Sequence, residues 1–122
     1  MNIKIKTTNI TLTPNISDYV EKRLASLEKL LQNDPSTLCN VELARTTSHH
    51  QHGDIFRAEI HIIAKDQDIY VDSEKSDLYS AIDIVRDEAT HKIKSFKKKR
   101  QSLIRRGGAQ IKNIIKGFWS KK

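Results

Sequence analysis

The sequence holds one cysteine, two prolines and four glycines in 122 residues. A lone thiol cannot close a disulfide within the chain. Cys39 stands in the apolar run between Leu38 and Val41, which reads as a buried, inert side chain in a reducing, cytoplasmic compartment. No segment approaches the ~20 apolar residues of a membrane span, and the opening MNIKIKTTNI lacks the apolar run of a secretory signal. No glycine-rich loop opens a helix to cradle phosphate; Gly107-Gly108 follows a helical pattern instead. Carboxylates are scattered, and no acid–base or nucleophile set stands out. The chain therefore reads as a binding protein, not an enzyme, with no cofactor. His49, His50 and His52 crowd one loop, with His61 on the next strand. Imidazoles so spaced can hold a transition metal, but no cysteine joins them. A solvated loop, or one that touches phosphate with Arg45, is the stronger reading, so no metal is assigned.

What is abundant is positive charge, and it is unevenly placed. Residues 1–85 hold nine Lys/Arg against thirteen Asp/Glu, a net of −4, while residues 86–122 hold thirteen against two, a net of +11. Such asymmetry points to nucleic acid or another anionic surface. The length suits one domain, which buries about two thirds of its unfolded surface and needs no metal or disulfide to fold.

Ile3 and Ile5 alternate with Lys4 and Lys6, a half-buried strand over Asn2 to Thr8. Thr13-Pro14 is a helix start, and Ile16, Val20, Leu24, Leu27 and Leu31 continue it at helical spacing until Asn33-Asp34-Pro35-Ser36 breaks it. Strands follow over Leu38 to Arg45, Ile55 to Lys65 and Ile69 to Ser73, the first two separated by a polar loop and the last two by Asp66-Gln67-Asp68. A long helix then runs from Asp77 to Arg106, with Ser76 as its expected N-cap and Leu78, Ile82, Val85, Ala89, Ile93, Phe96 and Leu103 as its apolar stripe. Tyr79, Asp83, Arg86, Thr90, Lys94 and Lys97 fall together on one flank of that helix.

The order β-α-β-β-β-α predicts an α+β two-layer sandwich. Three consecutive strands form an antiparallel meander, and the first strand joins the same four-stranded sheet. Each helix has one apolar stripe, so both cover one sheet face and leave the other wet. Like charges at i,i+3 and i,i+4 repel; a face selected only for helix stability would interleave Glu among Lys92, Lys94, Lys97, Lys98, Lys99 and Arg100. A polyanionic partner is the better explanation. Such cations hold phosphates without reading sequence, and with few aromatics the helix suits RNA shape over a linear motif. Tyr79 can stack on a base or simply pack at the helix start.

"LTPNISDYVEKRLASLEKLL" (residues 12–31), then strands, then "SEKSDLYSAIDIVRDEATHKIKSFKKK" (residues 73–99), resembles the ribosome hibernation promoting factor family, which includes the ribosome-associated inhibitor A proteins. The Thr-Pro opening, the Arg-Leu…Leu-Glu-Lys register and the Asp-Leu-Tyr-x-Ala-Ile-Asp start of the second helix carry the likeness, over residues 1–106. The resemblance implies a fold similar to double-stranded-RNA-binding domains. It also implies binding to rRNA of the small ribosomal subunit, in the channel used by mRNA and tRNA, so that translation stops and idle ribosomes stay intact. Off the ribosome the protein is expected to be a monomer. By position the implied rRNA contacts are Lys22, Arg23 and Lys29 on the first helix and Tyr79, Arg86, Lys94, Lys97, Lys98 and Arg100 on the second. Long members carry a further C-terminal domain that pairs ribosomes. This sequence reads instead as a short form with a basic tail over residues 107–122, where Ile111, Ile114, Ile115, Phe118 and Trp119 interleave with lysines. A tail of that pattern can dock on RNA, on protein or on a membrane surface. The histidine loop departs from the short members. The alternative is a structured-RNA-binding module not tied to the ribosome.

Overall fold

In a computed structural model, residues 1–47 and 53–105 are described. The elements are β1 (Asn2–Thr8), α1 (Pro14–Leu30), β2 (Leu38–Thr47), β3 (Asp54–Ile63), β4 (Asp68–Lys75) and α2 (Leu78–Arg105). His49, His50 and His52, the helix end at Arg106 and the tail over 107–122 lie outside the described residues.

The four strands lie in the order β1-β2-β3-β4. β2, β3 and β4 form the expected antiparallel meander. β1 runs parallel to β2, with Ile3 opposite Cys39 and Ile5 opposite Val41. Parallel neighbours need a long crossover, and α1 supplies it. Alternation then sends Cys39, Val41, Leu43, Ala58, Ile60, Ile62, Ile69 and Val71 to the helix side, where all are buried. Burial pushes the Cys39 thiol up to about 12, so it stays protonated and unreactive.

Thr13 caps α1 by accepting a hydrogen bond from Ile16 N at 3.3 Å, and Pro14 opens the first turn. Gln32 and Asn33 end α1 in the left-handed region, at φ 63° and 53°. Their amides return to the carbonyls of Lys29 and Glu28. Val20, Leu24 and Leu27 are fully buried beneath α1, each burial being worth roughly 1.5–3 kcal/mol.

α2 departs from expectation at both ends. Its cap is Asp77, not Ser76: Asp77 Oδ2 accepts from Ser80 N at 3.0 Å and from Ser80 Oγ at 2.9 Å. A carboxylate both fills the cap and meets the positive end of the helix dipole. The buried stripe stops at Ile93. Leu103, expected on the apolar face, is 37% exposed, because a helix of 28 residues, about 42 Å long, outruns the sheet beneath it.

On the outer sheet face the charged groups of β3 are paired. Arg57 lies 2.7 Å from both Glu59 and Asp72, and His61 Nε2 lies 2.6 Å from Asp68. Tyr70 donates its phenol proton to Glu59, which holds that carboxylate below its ordinary range. Lys4 and Lys6 are exposed on β1, but with Asp68, Asp72 and Glu74 along β4 acidic groups outnumber cations on this face, so it offers a polyanion no net cationic field. The helix layer remains.

Candidate nucleic-acid interface

α1 and α2 lie side by side, and the flank of α2 picked out by the helical wheel faces α1. It is the wall of a groove, not an open edge. At one end the groove is closed by a clamp. Tyr19 OH donates to Asp83 Oδ1 at 2.7 Å, Arg23 Nε reaches the same oxygen at 3.0 Å, and the rings of Tyr19 and Tyr79 meet edge to face at 4.7 Å. The Arg23 guanidinium lies 5.0 Å from the centre of the Tyr19 ring. Donation to Asp83 pushes the Tyr19 phenol up, and the Tyr19 bond raises Arg23 further. Two of the expected RNA contacts, Arg23 and Tyr79, therefore also hold the helices in register.

The middle of the groove has a volume of about 550 Å³ and gathers Lys29, Arg86 and Lys94 with the small polar side chains Ser26 and Thr90. Arg86 Nε lies 2.8 Å from Asp87 Oδ1, but the contact lacks hydrogen-bond geometry and the Nε–H is buried without an acceptor. Lys29 and Lys94 are exposed on opposite walls. Lys22 is exposed about two turns before Lys29 on α1. Asp87 lines the groove beside Arg86; the three cations outnumber it and can seat phosphate oxygens, the lysines as mobile point charges and Arg86 through the guanidinium donors that do not face Asp87.

The remaining cations do not share one surface. Lys98 is exposed and points away from the core. Lys97 turns toward α1 and donates to the Leu30 carbonyl at its last turn, a favourable place for a cation. Arg100 turns beneath α2 and pairs with Asp66. Lys92 reaches the other way, donating to Tyr70 O on β4 at 3.0 Å. The basic run thus wraps the helix. Lys22 and Lys29 on α1 and Lys94 and Lys98 on α2 are exposed, Arg86 lies half-buried between the helices, and Lys97 and Arg100 double as anchors.

Tyr19, Asp83, Ser26 and Thr90 belong to the groove but are absent from the sequence-based list. Asp83 carried a signal: a single carboxylate on a flank otherwise rich in cations marks an internal partner.

Fold and groove together define a two-layer α+β module that presents cations between paired helices. The chain belongs to the Sigma 54 modulation protein / S30EA ribosomal protein family, whose profile matches residues 3–101. It is 31% identical over 104 residues to a ribosome hibernation promotion factor of Picosynechococcus, covering 81% of this chain and 50% of that protein. A ribosome hibernation promotion factor of Bacillus subtilis is 26% identical over 120 residues, covering 98% of this chain and 61% of the relative. The chain thus spans about half to three fifths of the length of these relatives. The crystal structure of the Thermus thermophilus Protein Y N-terminal domain superposes with a TM-score of 0.64 at 33% identity, covering 79% of this chain and 99% of that one. A ribosomal subunit interface protein from Coxiella burnetii shares the fold, with a TM-score of 0.61 at 13% identity over 80% of this chain and 99% of the other.

Proposed function

We propose that this domain is a cytoplasmic, ribosome-associated translation inhibitor. It binds rRNA of the small subunit in the channel that mRNA and tRNA use, blocks translation by occupancy alone, and preserves idle ribosomes. Family membership and the names of the relatives support the ribosome as partner. The observation that carries the reading is the gathering of Lys29, Arg86 and Lys94 around one groove, while on the outer sheet face acidic groups outnumber cations. Such a groove meets phosphates by geometry, so it suits a folded RNA wall better than a sequence motif. Tyr79, 38% exposed, adds a ring edge at the clamped end.

Salt dependence tests the reading. Five phosphate contacts, from Lys22, Lys29, Arg86, Lys94 and Lys98, displace their counterions. The affinity for small subunits is then expected to fall with a log–log slope of about −3.5 to −4.5. A slope near zero would mean that the interface is not built on phosphate.

A further inference from the structure

Past Ile93 the long helix keeps its apolar period but loses the sheet beneath it. Phe96 is half-buried, Leu103 is exposed, and Ile104 beside it is 56% exposed. α1 runs parallel to α2, from the Tyr19–Asp83 bond to its end beside Lys97. The last two turns of α2 therefore overhang both the sheet and the first helix. Beneath the near end of this overhang lies a second cavity, of about 750 Å³. Leu30, Leu31, Pro35 and Ala64 are its apolar walls, and Lys97 and Arg100 close it on the α2 side. Its charged groups are already engaged: Lys97 with Leu30 O, Arg100 with Asp66, and Asp34 with Ser36. One turn past Arg100 stand Leu103 and Ile104. Walls and overhang together suit an apolar occupant better than a charged one.

The chain itself supplies one. Residues 106–122 follow the end of α2 at Arg105. Gly107 and Gly108 come first, and glycine takes the left-handed backbone that reverses a chain after a helix. Then Ile111, Ile114, Ile115, Phe118 and Trp119 stand at i, i+3, i+4, i+7 and i+8, the spacing of one apolar helix face. A helix over residues 110–120 spans about 16 Å, the distance from the level of Ile104 back to that of Lys97. Its far end, with Phe118 and Trp119, then meets the cavity. So short a connection holds the segment at an effective concentration on the order of millimolar, which favours it over a second copy at micromolar protein. We propose that residues 110–120 fold back as a helix against the overhanging end of α2, with Phe118 and Trp119 seated in the cavity past α1. The docked tail covers Leu103 and Ile104 and hides its own apolar face. The proposal concerns the free chain, so it does not rest on the ribosomal reading.

Trp119 is the chain's one tryptophan, so fluorescence of the full chain tests the docking directly. Its emission is expected to lie to the blue of that of a peptide of residues 106–122. Quenching by acrylamide should be at least about threefold weaker than in the peptide, because a seated indole is shielded from water. Neither reading should change as the protein is diluted. Leu103→Asp with Ile104→Asp should return both readings to the peptide's values. Ile114→Asp with Phe118→Asp should do the same from the tail side, with the fold of residues 1–105 untouched should the first pair misfold. In NMR spectra of the full chain the tail pair should also shift the amides of residues 30–35 and 97–105. Emission and quenching equal to the peptide's overturn the proposal; that is the result for a tail that engages only RNA or a membrane. Shielding that fades on dilution assigns the tail to a second copy and overturns it equally. So does shielding that survives both pairs of substitutions, or amide shifts that miss residues 30–35.

Discussion

Replacing Lys22, Lys29, Lys94 and Lys98 together by Glu is expected to abolish co-sedimentation with small ribosomal subunits, with an affinity loss of at least ~100-fold at about 0.1 M salt. These four side chains are exposed on the helix layer, and none has a hydrogen bond or ion pair within the described fold. Reversing them removes phosphate contacts and adds repulsion without cutting internal bonds, so stability should move by no more than ~0.5 kcal/mol per site. Lys97 and Arg100 are unsuitable for this purpose. One is bonded to the end of α1 and the other to Asp66, so their loss would mix folding with binding. A folded variant that still sediments with the subunit would remove the groove from the interface.

Leu27→Ala is expected to cost about 2–5 kcal/mol, a large share of the ~5–15 kcal/mol that holds a domain of this size. Leu27 is fully buried within the core beneath α1, two residues before Lys29 and one turn before Leu31. The cavity it would leave lies under the wall of the groove. A lower urea midpoint with an unchanged slope is the readout. Ribosome affinity should follow the folded fraction, with no change in its salt slope, because no phosphate contact is removed. A loss under ~1 kcal/mol would mean that α1 does not depend on this packing.

Much of the fold was legible because local patterns agree with one another. Thr13-Pro14 set the start of α1, and the apolar alternation along β2 and β3 agrees with the residues buried on the helix side. The partner of β1 was not legible: alternation states which side chains point inward, not which strand lies alongside, and the parallel pairing with β2 depends on where α1 crosses. The cap at Asp77 was missed because Ser76 and Asp77 are adjacent and both are good caps; only geometry separates them. Leu103 kept the helical period past the point where the sheet ends, and period alone carries no information about what lies below. For the site, the wheel correctly grouped Arg86, Thr90 and Lys94, yet it could not show that α1 stands opposite them. Nor could it show that Lys97 and Arg100 bend back onto the fold. Long cationic side chains reach several ångströms in any direction, and their partners lie more than thirty residues away.

The decisive measurement is sedimentation of the protein with small ribosomal subunits while mRNA and tRNA are added in increasing excess. Occlusion of the channel by the paired helices predicts mutual exclusion: the protein leaves the subunit as mRNA and tRNA occupy it, and saturating protein keeps both off. Full, simultaneous binding of all three would place this domain elsewhere on the ribosome and contradict the occlusion mechanism.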